Sequence, residues 1–220
     1  MTSQKTLLED IFEALISQLP EYEPEERRIA ARLLRMLCCG RPVSIWRLAS
    51  RLYAPVSLIE PLLKKWPGVQ FDDENRVEGF GGLTTQTTAH DLFFRGTHLH
   101  TTCAWDGLFL PRILGDEAEI RSHCPVTGDR IRIRVEPDNF EVLESPEAVM
   151  SFVTPEAAHD RENILLHLCE FVHFFSSLPA AEIWLANHPG ALILSLDEAF
   201  QLGRWKVVRQ LGTELVALPT

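Results

Sequence analysis

The chain changes its hydrophobic period at Gly81-Gly82. A period of 3.6 or of 2 dictates which backbone can bury an apolar face, so this break constrains the fold more than any other feature. Before it the spacing is helical. In "TLLEDIFEALISQL" apolar residues stand at positions 7, 8, 11, 12, 15, 16 and 19. "EPEERRIAARLLRML" predicts a second helix with acids at its positive end. "SIWRLASRLY" predicts a third, capped by Ser44, and "APVSLIEPLLKKW" a fourth. "VQFDDENRVEGFGG" alternates about Asp72-Asp73-Glu74-Asn75, as a hairpin does. Helices, a helix-turn-helix and a hairpin together compose a winged helix.

After the glycines the chain reads as short strands. "LTTQTTAHDLFFRGTHLHTTC" is rich in Thr and aromatics and broken by turn residues at 90–91 and 95–97. "AWDGLFLPRIL" predicts a short helix, bent or ended near Pro111. "EAEIRSHC", "RIRIRVEP" and "FEVLES" alternate as strands, with "PVTGD" as the turn between the first two. "PAAEIWLANH" reads as a helix and "ALILSL" as a fully buried strand. "DEAFQLGRWKVVRQLG" reads as a helix capped by Asp197. "NILLHLCEFVHFFSS" fits either a helix or buried extended chain. The expected class is α+β: a winged-helix-like helical domain over residues 1–82, then a mixed β-sheet domain with a few flanking helices over 83–220.

Charge narrows the partners. The net charge of -10 disfavours nucleic-acid binding driven by phosphate neutralisation. The second helix of the helix-turn-helix offers Ser57, Glu60, Lys64 and Lys65 around Pro61, and the hairpin tip is acidic. Both features point to docking or enclosure rather than duplex reading. No stretch approaches the roughly 18 apolar residues of a membrane span. Glu9, Asp10 and Glu13 interrupt the first apolar pattern, which argues against a secretory signal. The expected setting is cytoplasmic, with neither nucleic acid nor membrane as partner.

The candidate chemistry centres on "HTTCAWDGLFLPRILG". Cys103 falls where a strand ends and a helix begins, and free N–H groups there lower a thiol's pKa. Asp106 follows about one helical turn later and shares its face. One reading makes Asp106 a helix cap and Cys103 a packing residue; the other makes them a thiol and its proton carrier. Cys169 stands in "HLCEFVHFF", flanked by His167, Glu170 and His173. Cys124 leads the "CPVTGD" turn, which has no second pair of zinc ligands, so burial is its expected role. Cys38 and Cys39 close an apolar segment and are expected to be buried. His98 and His100 share one side of a strand. With Cys103 they suggest a metal site, but their spacing matches no common zinc pattern and surface histidines are the expectation.

"CAWDGLFLPRILG", "SHCPVTGD", "LCEFVHFFSSLPAAEIWLANHPG" and "LDEAFQLG" together resemble the organomercurial (alkylmercury) lyase family, from about Gly40 to Gly203, in order and spacing. The resemblance implies protonolysis of the carbon–mercury bond to a hydrocarbon and Hg(II). It implies Cys103, Asp106 and Cys169 as the catalytic residues, holding the Hg(II) product between them. It implies no cofactor, a small organomercurial substrate, and cellular thiols or mercuric reductase as acceptors of the ion. It also implies that the N-terminal part helps to enclose the site.

These residue types suit that reaction: thiolate sulfur matches soft mercury, and a carboxyl in an apolar pocket has a raised pKa fit for taking and returning a proton. The chain departs from the family at Thr101 and Thr102, where aromatic residues are common, and at Glu170, where another cysteine is. Two further readings stand beside the enzyme: a soft-metal or mercury sensor using the same cysteines without catalysis, and a redox-responsive structural module. Asp106 separates them, since a pure thiolate site needs no proton carrier.

Overall fold

The computed structural model describes residues 2–17, 19–153 and 169–212. Its N-terminal elements are α1 (Thr2–Ile16), α2 (Pro24–Leu37), β1 (Val43–Ser44), α3 (Ile45–Leu52), α4 (Val56–Lys65), β2 (Gln70–Phe71) and β3 (Arg76–Phe80). Ser44 caps α3 as expected, its hydroxyl accepting from the Arg47 N–H at 3.2 Å. The polar tip of the hairpin is closed by Asp72, whose carboxylate accepts from the N–H groups of Glu74 and Arg76.

The chain continues through β4 (Leu83–Thr84), β5 (Asp91–Phe94), β6 (Thr97–Thr101), α5 (Ala104–Leu114), β7 (Ala118–His123), β8 (Arg130–Val135), β9 (Phe140–Glu144), β10 (Val149–Val153), β11 (Phe174–Phe175), α6 (Leu178–Leu185), β12 (Ala191–Ser195) and α7 (Leu196–Leu211). The larger sheet runs β1-β3-β4-β6-β5-β7-β8-β9, with β2 also paired to β3; the smaller runs β11-β10-β12. The first hairpin is therefore hydrogen-bonded into the same sheet as the later strands. The class is α+β, as the periods imply.

Several details differ from the sequence reading. Each described strand pairing is antiparallel rather than mixed. Tight turns such as Arg95-Gly96 reverse the chain between neighbours, and a parallel pair needs a long crossover. α5 runs through Pro111 to Leu114 and ends on Gly115 in the left-handed region. Every residue of α5 but Arg112 is buried, and packing on all sides outweighs the one backbone bond that proline removes. The cap of α7 is Ser195, whose hydroxyl accepts from the Glu198 N–H, while Asp197 lies within the first turn. β12 is only partly buried, because it is an edge strand beside β10. β10 itself carried no clear alternating signal, being buried along most of its length. Cys38 is half-buried and Cys39 exposed, since the helix ends there and turns outward. Residues 163–168 of the ambiguous apolar stretch lie outside the described residues; Phe174 and Phe175 within it are extended.

Alternation in "RIRIRV" sends Ile131, Ile133 and Val135 inward and leaves Arg132 and Arg134 outside, paired with Glu119, Glu144 and Glu141. Such surface pairs contribute at most about 1 kcal/mol each, so burial of the inner face decides the register. α5 packs between this inner face and α7. Gly203 of α7 permits the close approach: a methyl there would lie 2.9 Å from Phe109 Cβ. The Trp105 indole N–H donates to the Ala199 carbonyl at 2.8 Å and locks the two helices in register.

Candidate active site

Cys103 occupies the N-cap of α5 with extended backbone, φ -144° and ψ 174°. Its sulfur accepts the Asp106 N–H while its own N–H donates to Asp106 Oδ2 at 2.9 Å, a reciprocal cap. The preceding segment is held in turn: the Thr101 hydroxyl donates to the Cys103 carbonyl at 2.9 Å, and the Thr102 N–H donates to the Gly82 carbonyl at 2.9 Å. Asp106 is thus a helix cap and a neighbour of Cys103 at once; the two sequence readings are not exclusive.

Cys169 reaches the same point from a distant part of the chain. The Ala104 N–H, a free donor at the start of α5, bonds to the Val172 carbonyl at 3.3 Å, and the Val172 N–H returns to the Cys169 carbonyl at 3.4 Å. Ser151, fully buried on β10, anchors the segment: its hydroxyl donates to the Phe171 carbonyl at 2.7 Å and accepts from the His173 N–H at 3.0 Å. The sulfur atoms of Cys103 and Cys169 and a carboxylate oxygen of Asp106 all lie within 4.8 Å of one another. Cys103 and Asp106 are buried at 3% and 6% exposure, while Cys169 is half-buried.

The electrostatics differ from the sequence expectation for Cys103. Burial pushes its thiol well above the ordinary value, and the hydrogen bond with Cys169 and the nearby Asp106 charge push the same way. These effects outweigh the helix terminus, so Cys103 rests as a thiol. Burial also raises the Asp106 carboxyl, opposed by the Lys206 charge and by hydrogen bonds from the Cys103 thiol and N–H. Lys206, on α7, lies with its ammonium 3.8 Å from the Phe109 ring centroid, and burial draws it down to about 8. Sequence reasoning missed Lys206 and Ser151. A lone lysine in "GRWKVV" reads as an ordinary solvated helix residue, and only the packing of α7 on α5 turns it inward.

A largely apolar cavity of about 110 Å³ opens onto the three groups. Thr102, Trp105, Phe152 and Lys206 line it from the later part of the chain; Leu15, Tyr22, Leu34 and Phe80 line it from the first eighty residues. Tyr22, Trp66 and Phe80 pack in series beside it, with centroids 4.8 and 5.4 Å apart. The other sequence candidates lie elsewhere. Cys124 is buried; burial pushes its thiol up, but hydrogen bonds from the Thr127 hydroxyl and from the N–H groups of Ser176, Thr127 and Val126 hold it below its ordinary value. It joins no metal-type cluster among the described residues. His98 and His100 meet Asp91 rather than Cys103, and His100 is buried, not a surface residue. His167 is outside the described residues.

Two thiols and a carboxyl converging in an apolar cavity, on an α+β scaffold, define a thiol-based site suited to a soft metal electrophile. Comparison with known proteins names the family. The sequence model of the family described as "MerB: Alkylmercury lyase" matches residues 83–207. The chain is 39% identical to an alkylmercury lyase of Bacillus cereus over 202 residues, 91% of each chain. It is 35% identical to one of Pseudomonas putida, covering 82% of this chain and 84% of that one. Its fold is similar to a solved structure described as the mercury-bound form of MerB2, with a TM-score of 0.72 at 22% identity, covering 96% of this chain and 100% of that one. The chain belongs to the alkylmercury lyase family, enzymes that cleave carbon–mercury bonds.

Proposed function

We propose that Cys103, Cys169 and Asp106 are the catalytic residues with which this lyase breaks the carbon–mercury bond of a small organomercurial. The convergence of their three reactive atoms within 4.8 Å carries the reading. Cys169, the more exposed thiol, meets R–Hg–X first; its sulfur bonds mercury, and X leaves with the thiol proton as HX. Cys103 then gives its proton to the Asp106 carboxylate, with which its thiol is hydrogen-bonded, and its sulfur adds to the metal. A second thiolate raises the electron density on mercury. Asp106 returns the proton to carbon as the carbon–mercury bond breaks, the electron pair leaving with the carbon. The products are R–H and Hg(II) held by two sulfurs, with Asp106 beside it.

Lys206 sets the working charge of the site. Its ammonium in the cavity wall opposes burial and favours the ionised Asp106 that must accept the Cys103 proton. The apolar wall keeps bulk water from quenching that interaction. The reaction as written needs no cofactor. Small cellular thiols or mercuric reductase then take the ion from the two sulfurs. A cytoplasmic setting suits those acceptors, and no described helix is long and apolar enough to cross a membrane. We read residues 1–82 as a winged-helix-like domain that walls the cavity and 83–220 as the catalytic domain; the family match beginning at residue 83 supports that division.

The test is direct. The protein incubated with methylmercury and excess thiol should release methane, and the Cys103→Ser and Cys169→Ser variants should release none. Wild-type turnover by either variant would remove that residue from the catalytic set.

A further inference from the structure

The outer face of the β5–β6 hairpin carries a second cluster of ligand-type side chains. Asp91 opposes His100 across the hairpin and Phe93 opposes His98, so Asp91, His98 and His100 share one face. Asp91 Oδ1 lies 2.9 Å from His98 Nε2 and 3.1 Å from His100 Nδ1. The three donor atoms all fall within 4.8 Å of one another. His100 is 8% exposed, and its Nδ1 is buried with no hydrogen-bond partner: the Asp91 oxygen is close to it but badly aligned. A buried ring nitrogen left unpaired is unfavourable, and a ligand on that nitrogen removes the penalty.

We propose that Asp91, His98 and His100 form a binding site for a divalent cation of the zinc class, independent of the thiol site and of the reading given for it. Two imidazoles and a carboxylate are the ligands such borderline cations take. Bonds of about 2.0–2.2 Å in a tetrahedral arrangement separate ligand atoms by roughly 3.3 Å, so the observed separations need only small expansion around an ion.

The pairing of its neighbours leaves Asp91 available to a cation. Among the described residues, the two imidazoles are the only ionic partners of Asp91 within 4.0 Å. Arg121, its neighbour on β7, is turned to Glu119 at 2.6 Å and lies 4.1 Å from the Phe93 ring centroid. Phe93 stacks on the His98 ring at 4.6 Å and 3° and fixes the plane from which Nε2 faces Asp91. The side chains of His98 and Asp91 are 52% and 38% exposed, leaving a fourth position to water. Since β6 runs directly into the Thr101–Cys103 cap, an ion here braces the strand that presents Cys103.

Titrating the full-length protein with Co²⁺ tests this, because cobalt reports its own ligands. A site of nitrogen and oxygen ligands gives visible d–d bands without the near-ultraviolet sulfur charge-transfer band of thiolate ligation. The expected result is a stoichiometric spectrum of the first kind, lost in His98→Ala and in Asp91→Asn and retained in Cys169→Ser. Zn²⁺ should raise the thermal midpoint of the wild type and not that of His98→Ala, whose side chain is exposed enough that the variant keeps its fold. A charge-transfer band lost in Cys169→Ser and indifferent to His98→Ala would put the cobalt on the thiols and overturn the proposal. Absence of binding would overturn it too, leaving a metal-free Asp–His cluster.

Discussion

Gly82 makes room for Asp106. Its φ of +94° lies where side-chain-bearing residues are strained, and a methyl there would lie 2.7 Å from Asp106 Cβ and collide with the carboxyl. One of the two glycines that separate the halves of the sequence thus cradles the Asp106 carboxyl. Gly82→Ala should therefore lose activity and stability together. Strain and overpacking are each worth about 1–3 kcal/mol, and a displacement of about 1 Å at a reacting group lowers rate by ~10²-fold. Turnover and a denaturation midpoint measured on the same preparation check both; an alanine variant with wild-type turnover would show that Asp106 tolerates being moved.

Asp106→Asn keeps the shape of the side chain and removes the proton. Hg²⁺ binding should survive while turnover falls by ~10²–10⁴-fold, the range for loss of a general acid–base. Equal rates for the variant and the wild type on methylmercury would reduce Asp106 to a helix cap.

The cysteines should separate by role. Cys169→Ser removes a soft ligand, so mercury affinity and turnover should fall together. Cys124→Ser disturbs only the buried turn and its hydrogen bonds, so stability should drop while the folded fraction keeps turning over. Mercury titration followed by sulfur charge-transfer absorption distinguishes the two variants.

Lys206→Met should be slower yet more stable. Burial lowers the lysine to about 8 from its ordinary value of 10.5, so its charge opposes folding below pH 8, and that penalty fades as pH rises from 8 to 10.5. Methionine removes a penalty of at most about 3 kcal/mol at neutral pH. The same change withdraws the cation that lowers Asp106, so the acid-side midpoint of the rate profile should move to higher pH. Rate at neutral pH should fall about tenfold, the equivalent of ~1.4 kcal/mol. A variant with an unshifted profile would make Lys206 a packing residue.

A duplex-binding role predicts a different result from an enclosing one. In α4, Lys64 is tied to Glu60 at 2.7 Å, and the exposed Trp46, Tyr53 and Leu58 interrupt the exposed Arg47, Arg51 and Lys65 with apolar surface. Polarisation assays at low salt should detect no sequence-specific complex. Sub-micromolar, sequence-dependent affinity would favour a sensor.

Elements whose information is local could be read from residue order alone. Periodicity located α2, α3 and the strands of "RIRIRV", because a buried face imposes its repeat on consecutive residues. Cys103 and Asp106 were legible as a pair for the same reason, being one helical turn apart at a strand-to-helix junction. Cys169 was named through resemblance, since nothing in "HLCEFVHFF" states what it will meet. The rest depended on how the distant segments pack. Hydrogen bonds from Ala104 and Ser151 carry the Cys169 segment to α5, Gly203 lets α7 bring Lys206 inward, and Gly82 leaves the gap that Asp106 fills. The protonation of Cys103 was decided there as well. A helix terminus favours a thiolate in any sequence, but burial beside a carboxylate reverses that preference, and burial is a property of the whole packed chain.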